Sequence, residues 1–133
     1  MLSFITYINE ITLRGHGGDR KRVENAVKEF LRKTKPHPMD NKASIVGNAV
    51  MHISPSGDGI HVHDIYSLEK GSGAGTKAME FLVDIADKHE VKIHLFADGY
   101  SDTSSSDLRR WYSRFGFVPN RQDPSEMVRP PKP

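Results

Sequence analysis

Between Ile60 and Ala97 the hydropathy period changes twice, and that succession limits the fold more than any other feature of the chain. Ile60 and Val62 alternate with His61 and His63 in a segment running to Leu68, the period of two that marks a strand. From Thr76 to Lys88, Ala78, Met79, Leu82, Val83, Ile85 and Ala86 recur at helical spacing. Val91, Ile93, Leu95 and Ala97 then alternate sharply with their neighbours. A strand, a helix and a strand in this order predict a parallel pair with a helical crossover.

Around that unit the pattern predicts antiparallel additions. Ala43 to Ser54 is rich in β-formers, and Pro55-Ser56-Gly57-Asp58-Gly59 is turn chemistry leading into the Ile60 strand. The alternation of that strand slips at Asp64-Ile65, which predicts a β-bulge, a feature often found beside active sites. Upstream, Phe4, Tyr7, Ile8 and Ile11 favour a helix over Ser3 to Leu13 with Ser3 as its cap, with a strand left open. Gly15-His16-Gly17-Gly18 breaks the chain. Asp19 is placed to cap a second helix with the stripe Val23, Ala26, Val27, Phe30 and Leu31, ended by Pro36 and Pro38. Downstream come a polar loop from Asp98 to Ser106 and a short helix from Asp107 to Phe115 closed by Gly116. Strands at Phe117-Val118 and Met127-Val128 complete the pattern. The expectation is a mixed α/β layer fold, with residues 1–128 as one domain and 129–133 as a proline-rich tail.

Composition removes several function classes. The 133 residues include no cysteine, so disulfides, thiolate metal sites and a cysteine nucleophile are excluded. A net charge of +2 is too weak a bias to argue for nucleic acid. Its basic residues crowd into Arg20, Lys21, Arg22, Lys28, Arg32, Lys33 and Lys35, which reads first as the solvated face of an amphipathic helix and second as a docking surface for an acidic partner. No basic, apolar leader opens the chain and no apolar run is long enough to span a membrane, so a cytoplasmic location is expected.

The chemistry concentrates in Lys70-Gly71-Ser72-Gly73-Ala74-Gly75-Thr76, between strand and helix. Glycines let the backbone approach a ligand closely, and the free amides of a helix start, at the positive end of its dipole, form a phosphate site. The loop is neither a Walker A nor a dinucleotide fingerprint. Thr76 stands where either pattern counted from Gly71 wants glycine, and Ala78 where the fingerprint counted from Gly73 wants it. It does resemble the [Gln/Arg]-x-x-Gly-x-[Gly/Ala] motif of the GNAT N-acetyltransferase superfamily, with Lys70 in place of glutamine or arginine. Further on, Tyr112 stands four residues before Gly116-Phe117, as in the closing motif of that family. The resemblance covers roughly Ala49 to Val128, and Met127-Val128-Arg129-Pro130 is similar to compact members from bacteria and phages.

The resemblance implies a GNAT fold, a twisted mixed sheet flanked by helices with a splayed parallel strand pair. It implies acetyl-CoA as acyl donor and an amine acceptor. Amides of Gly71, Gly73, Ala74, Gly75 and Thr76 would hold the pyrophosphate with help from Lys70, and the backbone of Ile65 and Ser67 would pair with the pantetheine arm. The bulge at Asp64-Ile65 would aim an amide at the thioester carbonyl. Tyr112 would protonate the leaving thiolate, and Ser105 falls where many relatives carry a CoA-contacting asparagine. For the base that deprotonates the amine, Asp64 comes first, with His63, His61 and Asp98 as alternatives. His61 and His63 share a strand face, but no third ligand is predictable, so no metal site is expected. Asp98, Asp102 and Asp107 suit a cationic acceptor, which is a small molecule or a protein amine. A homodimer is left open. The competing reading is a GNAT-fold binding module, catalytically silent or CoA-binding only, that acts by protein or nucleic-acid contact, with the basic helix as its support.

Overall fold

The computed structural model describes residues 17–69, 71–97 and 104–132. The expected helix from Ser3 to Leu13, and the expected site residues Lys70, Asp98 and Asp102, lie outside them. Ten elements occur in order: α1 (Gly17–Lys33), β1 (Lys35–His37), β2 (Asp40–Val46), β3 (Ala49–Ser56), β4 (Gly59–Ser67), α2 (Ala74–Lys88), β5 (Lys92–Phe96), α3 (Ser105–Ser113), β6 (Val118–Pro119) and β7 (Glu126–Arg129). The strands form one seven-stranded sheet in the order β1-β2-β3-β4-β5-β7-β6. Among these, β4 and β5 are the parallel pair that the sequence predicts, and every other neighbouring pair is antiparallel.

Several boundaries differ from the sequence expectation for local reasons. The β-rich stretch Ala43 to Ser54 is split by a hairpin at Gly47-Asn48, with Val46 opposite Ala49. Gly47 adopts φ 60°, which a two-residue primed turn requires and glycine supplies without strain. Pro36 sits in an added edge strand, where a missing N–H is tolerated. Asp19 lies in the first turn of α1 rather than before it. The third helix runs two residues earlier at both ends than expected, because Ser104 accepts a hydrogen bond from the Asp107 amide at 3.2 Å and caps it. Arg129, assigned to the tail by sequence, closes β7 and is 1% exposed.

Helices α1 and α2 pack side by side on one face of the sheet. Val23, Ala26, Val27 and Phe30 of α1 meet Ala78, Met79, Leu82, Ile85 and Ala86 of α2 over Ala49, Met51, Ile53, Ile60, Val62, Ile93 and Leu95. The predicted apolar stripes are thus the core. Between the helix ends, the buried carboxylate of Glu29 accepts from Lys33 Nζ at 2.8 Å and Lys88 Nζ at 2.9 Å, with His89 Nε2 at 2.8 Å. These hydrogen bonds, Lys33's foremost, hold its carboxyl far below the usual carboxylate range. Along α1, Arg22 pairs with Asp19 and Lys28 with Glu24, so much of the basic cluster is intrahelical ion pairing on a solvated face. No helix among the described residues is long and apolar enough to cross a membrane.

Two irregularities of β4 open the sheet on one side. Its ladder with β5 covers only Gly59↔Lys92 to Val62↔Leu95, while β4 itself continues to Ser67. The strands part there, and among the described residues no strand pairs with His63 to Ser67 on the β5 side. A register shift against β3 also occurs, as predicted, one residue earlier than expected. His52 faces Asp64 and Ile53 faces Val62, so His63 is the extra, bulged residue.

Candidate active site

Where β4 leaves β5, a cleft of about 330 Å³ opens, lined by Ile65, Tyr66 and Ser67 of β4, Gly73, Gly75 and Thr76 at the start of α2, and Leu108, Trp111 and Tyr112 of α3. Three separate segments converge because the crossover helix must start beside the end of its strand. The turn between them is built on glycine. Gly71 (φ 78°) and Gly73 (φ 75°) are left-handed, and a Cβ at either would be strained.

The α2 start is a polar cradle. Gly73 is its N-cap and supplies no side-chain bond, and the first turn contains no acidic residue. The amides of Gly71, Gly73 and Thr76 have no hydrogen-bond partner among the described residues. Those of Ala74 and Gly75 bond only to serine hydroxyls, Ser72 Oγ at 3.3 Å and Ser67 Oγ at 3.1 Å. A hydroxyl turns aside readily for a stronger acceptor, so all five amides suit a phosphate group at the positive end of a 15-residue helix. This donor set, and a cleft running from it along the unpaired edge of β4, fit acetyl-CoA.

On the opposite wall, α3 presents aromatic side chains. Trp111 stands over Gly75, where an added Cβ would lie 3.8 Å from its ring, and packs edge-on to Tyr112 and Phe115 with centroids 5.0 Å apart in each case. Tyr112 is 7% exposed and leans on Phe117, centroids 5.7 Å apart. The Gly116-Phe117 signature has a physical cause in this arrangement. Gly116 turns the chain at φ 96° just after α3, which sends buried Phe117 back beneath Tyr112. Gly75→Ala separates folding from binding here. Its Cβ would meet Ser67 Oγ at 3.5 Å, an ordinary contact, so stability should change by less than about 1 kcal/mol, toward stabilisation. The methyl would stand in the amide cradle, so acetyl-CoA affinity should fall, by about tenfold or more for a displaced charge-assisted hydrogen bond. Paired urea denaturation and ligand titration would measure both.

Of the residues singled out by sequence, Ile65, Ser67, Gly73, Gly75, Thr76 and Tyr112 line the cleft. Gly71 and Ala74 belong to the loop and helix start without lining it, and Ser105, the first residue of α3, does not line it either. His63 and Asp64 are not in the lining either. Asp64 lies opposite His52, on the sheet face away from α1 and α2, and His63 bulges beside it. There the ring of His63 stacks on His52 (4.5 Å, 30°) and tilts against His61 (4.4 Å, 56°). The rings lie over one another rather than converging, and no group of three or more His, Cys, Asp or Glu able to hold a metal occurs among the described residues. Tyr66 and Leu108 are cleft residues that sequence reasoning did not single out. Leu108 is one helical turn before Tyr112, so it shares the Tyr112 face of α3, but that spacing alone does not mark a cleft.

One crossing parallel pair that parts beside a glycine-started helix, in a sheet otherwise antiparallel, defines the GNAT fold. Among solved structures, the chain is similar to histone acetyltransferase HPA2 and related acetyltransferase from Corynebacterium glutamicum ATCC 13032, with TM-score 0.50 and 13% identity over 97% of this chain and 83% of that one. It is also similar to the anti-CRISPR protein AcrVA5, with TM-score 0.55 and 21% identity over 63% of this chain and 92% of that one. Protein-family models and curated protein sequences yield no match. At such identities the likeness establishes the fold.

Proposed function

We propose that the chain is an N-acyltransferase that moves an acetyl group directly from acetyl-CoA to an amine. The observation that carries this reading is the joint placement, around one cleft, of the open α2 amides, the unpaired edge of β4 and Tyr112. Acetyl-CoA supplies the acyl group as an activated thioester. Amides of Gly71 to Thr76 bind the pyrophosphate. The main chain from His63 to Ser67 pairs with the extended arm as an added strand would, and an amide near the bulge bonds the thioester oxygen as charge builds on it. Tyr112 gives its proton to the departing sulfur. The reference pKa values of a phenol and a thiol differ by about 1.5 units, so this transfer is inexpensive once geometry is set. The HPA2 likeness supports the choice of reaction class, and the pairing of basic residues within α1 weighs against a binding module that works through that helix.

Thermal unfolding with acetyl-CoA is the direct test. A ligand at 100 times its Kd adds about 2.7 kcal/mol by mass action, enough to raise Tm by several degrees. The expected result is that rise, together with release of free CoA when primary amines are added. An unchanged Tm at millimolar acetyl-CoA would end the proposal.

A further inference from the structure

The sheet face away from α1 and α2 carries a cluster of imidazoles that the fold does not need. Strand register sets Ser54 opposite His61 and His61 beside His94, with His52 opposite Asp64. The bulge inserts His63 among them, exposed at its surface. Its ring is held on three sides: His52 stacks on it at 4.5 Å, His61 tilts against it at 4.4 Å, and buried Ser54 places Oγ 2.6 Å from Nε2. Phe96 extends the cluster, 5.8 Å from His61. His63 is also the first β4 residue past the last pair with β5. Cleft residue Ile65 is two positions further along the strand, about 7 Å. The strand that carries His63 thus also lines the cleft, beyond the point where its ladder with β5 ends.

Resting on the acyltransferase reading, we propose that His63 is the base that takes the acceptor amine's proton, with Ser54, His52 and His61 as the positioning residues that fix its ring. In this arrangement Nε2–H of His63 donates to Ser54 Oγ, which leaves the lone pair on Nδ1. As the amine nitrogen bonds to the acyl carbon, its proton passes to Nδ1. The carbon–sulfur bond breaks and the sulfur takes its proton from Tyr112. An amide and a free thiol result, and solvent later returns a proton to Tyr112 and removes one from His63.

The protonation state of His63 agrees with that role. Burial, then the charges of His61 and His52, hold its imidazole below the ordinary value. His61 is lowered as well, by burial and then by His94 and His52, with Glu126 of β7 opposing. Asp64 is the remaining charged neighbour on β4, and Asp58 engages His94 together with Lys92. His63 is thus neutral at pH 7 and able to accept a proton.

The test uses the full chain, acetyl-CoA and a panel of primary amines (a diamine, a lysine ester and a short peptide), with kcat/KM for CoA release measured across pH. His63→Gln should lower kcat/KM by about 100-fold and abolish the acidic limb of the profile, with the acetyl-CoA thermal shift intact. His61→Asn removes a repelling neighbour, so the acidic limb should move to higher pH. Ser54→Ala should lower kcat more than it raises KM. Wild-type rates and an unmoved limb in His63→Gln overturn the inference and leave the acyltransferase reading standing. An acetyl-CoA shift without turnover on any amine overturns it too, while cofactor binding survives. No shift at all overturns both. If His63→Gln loses its thermal shift, the limb in His61→Asn decides: movement supports the assignment and a fixed limb overturns it.

Discussion

Tyr112→Phe is expected to lower the rate of acyl transfer by about 10²- to 10⁴-fold, the usual range for removing a positioned proton donor. The ring remains, so its edge-on contacts with Trp111 and Phe117 persist and the cleft keeps its shape. The rise in Tm expected with acetyl-CoA should therefore be the same in the variant as in the wild type. The defect should appear in kcat, with KM nearly unchanged, because the proton is needed only as the sulfur leaves. A variant that lost binding and turnover together would indicate a packing role for the hydroxyl and remove Tyr112 from the chemistry.

Asp87→Asn is the largest expected loss of stability, about 3–5 kcal/mol, the cost of leaving a buried charge without its partner. Arg129 is 1% exposed and donates from Nη1 and Nη2 to Asp87 Oδ1 and Oδ2 at 2.7 and 2.9 Å, while its Nε donates to the Phe115 carbonyl at 2.6 Å. The Lys132 amide adds a bond to Asp87 Oδ1 at 2.8 Å. This one cluster joins α2, the turn after α3, β7 and the residues after it. Burial alone would raise the Asp87 pKa, but the hydrogen bonds from Arg129 and Lys132 and both their charges outweigh it, so the folded value is lowered. A lowered carboxylate contributes stability that is complete above its unfolded pKa of about 3.9 and is lost as pH falls through the folded value. Urea midpoints between pH 7 and pH 2 should fall in the wild type across that acid window. They should start lower and change less there in Asp87→Asn.

Arg129 also marks the limit of what local sequence can reveal. Followed by prolines, it reads as the start of a loose tail, and nothing local announces a partner 42 positions away. The same limit applies to β1 and the polar start of β2, which are set by pairing with β2 and β3 respectively rather than by their own residues, although Gly47-Asn48 is a readable turn. By contrast, the β4–α2–β5 unit was legible because period, glycine loop and crossover are all local. The site divides in the same way. Loop and tyrosine could be found by spacing, whereas Leu108 and Tyr66 enter the cleft through tertiary placement. The bulge was visible as a slip in alternation, but the gathering of His52, His61 and His63 around it depends on register across two strands.

The parting of β4 from β5 has a consequence for how such a protein changes over time. What the opening offers is mostly peptide groups, and a peptide group is the same whichever side chain it carries. A chain built this way can exchange most of its residues and still present the same row of donors and acceptors. Shape then outlasts spelling, as the 13% and 21% identities of its two structural neighbours illustrate.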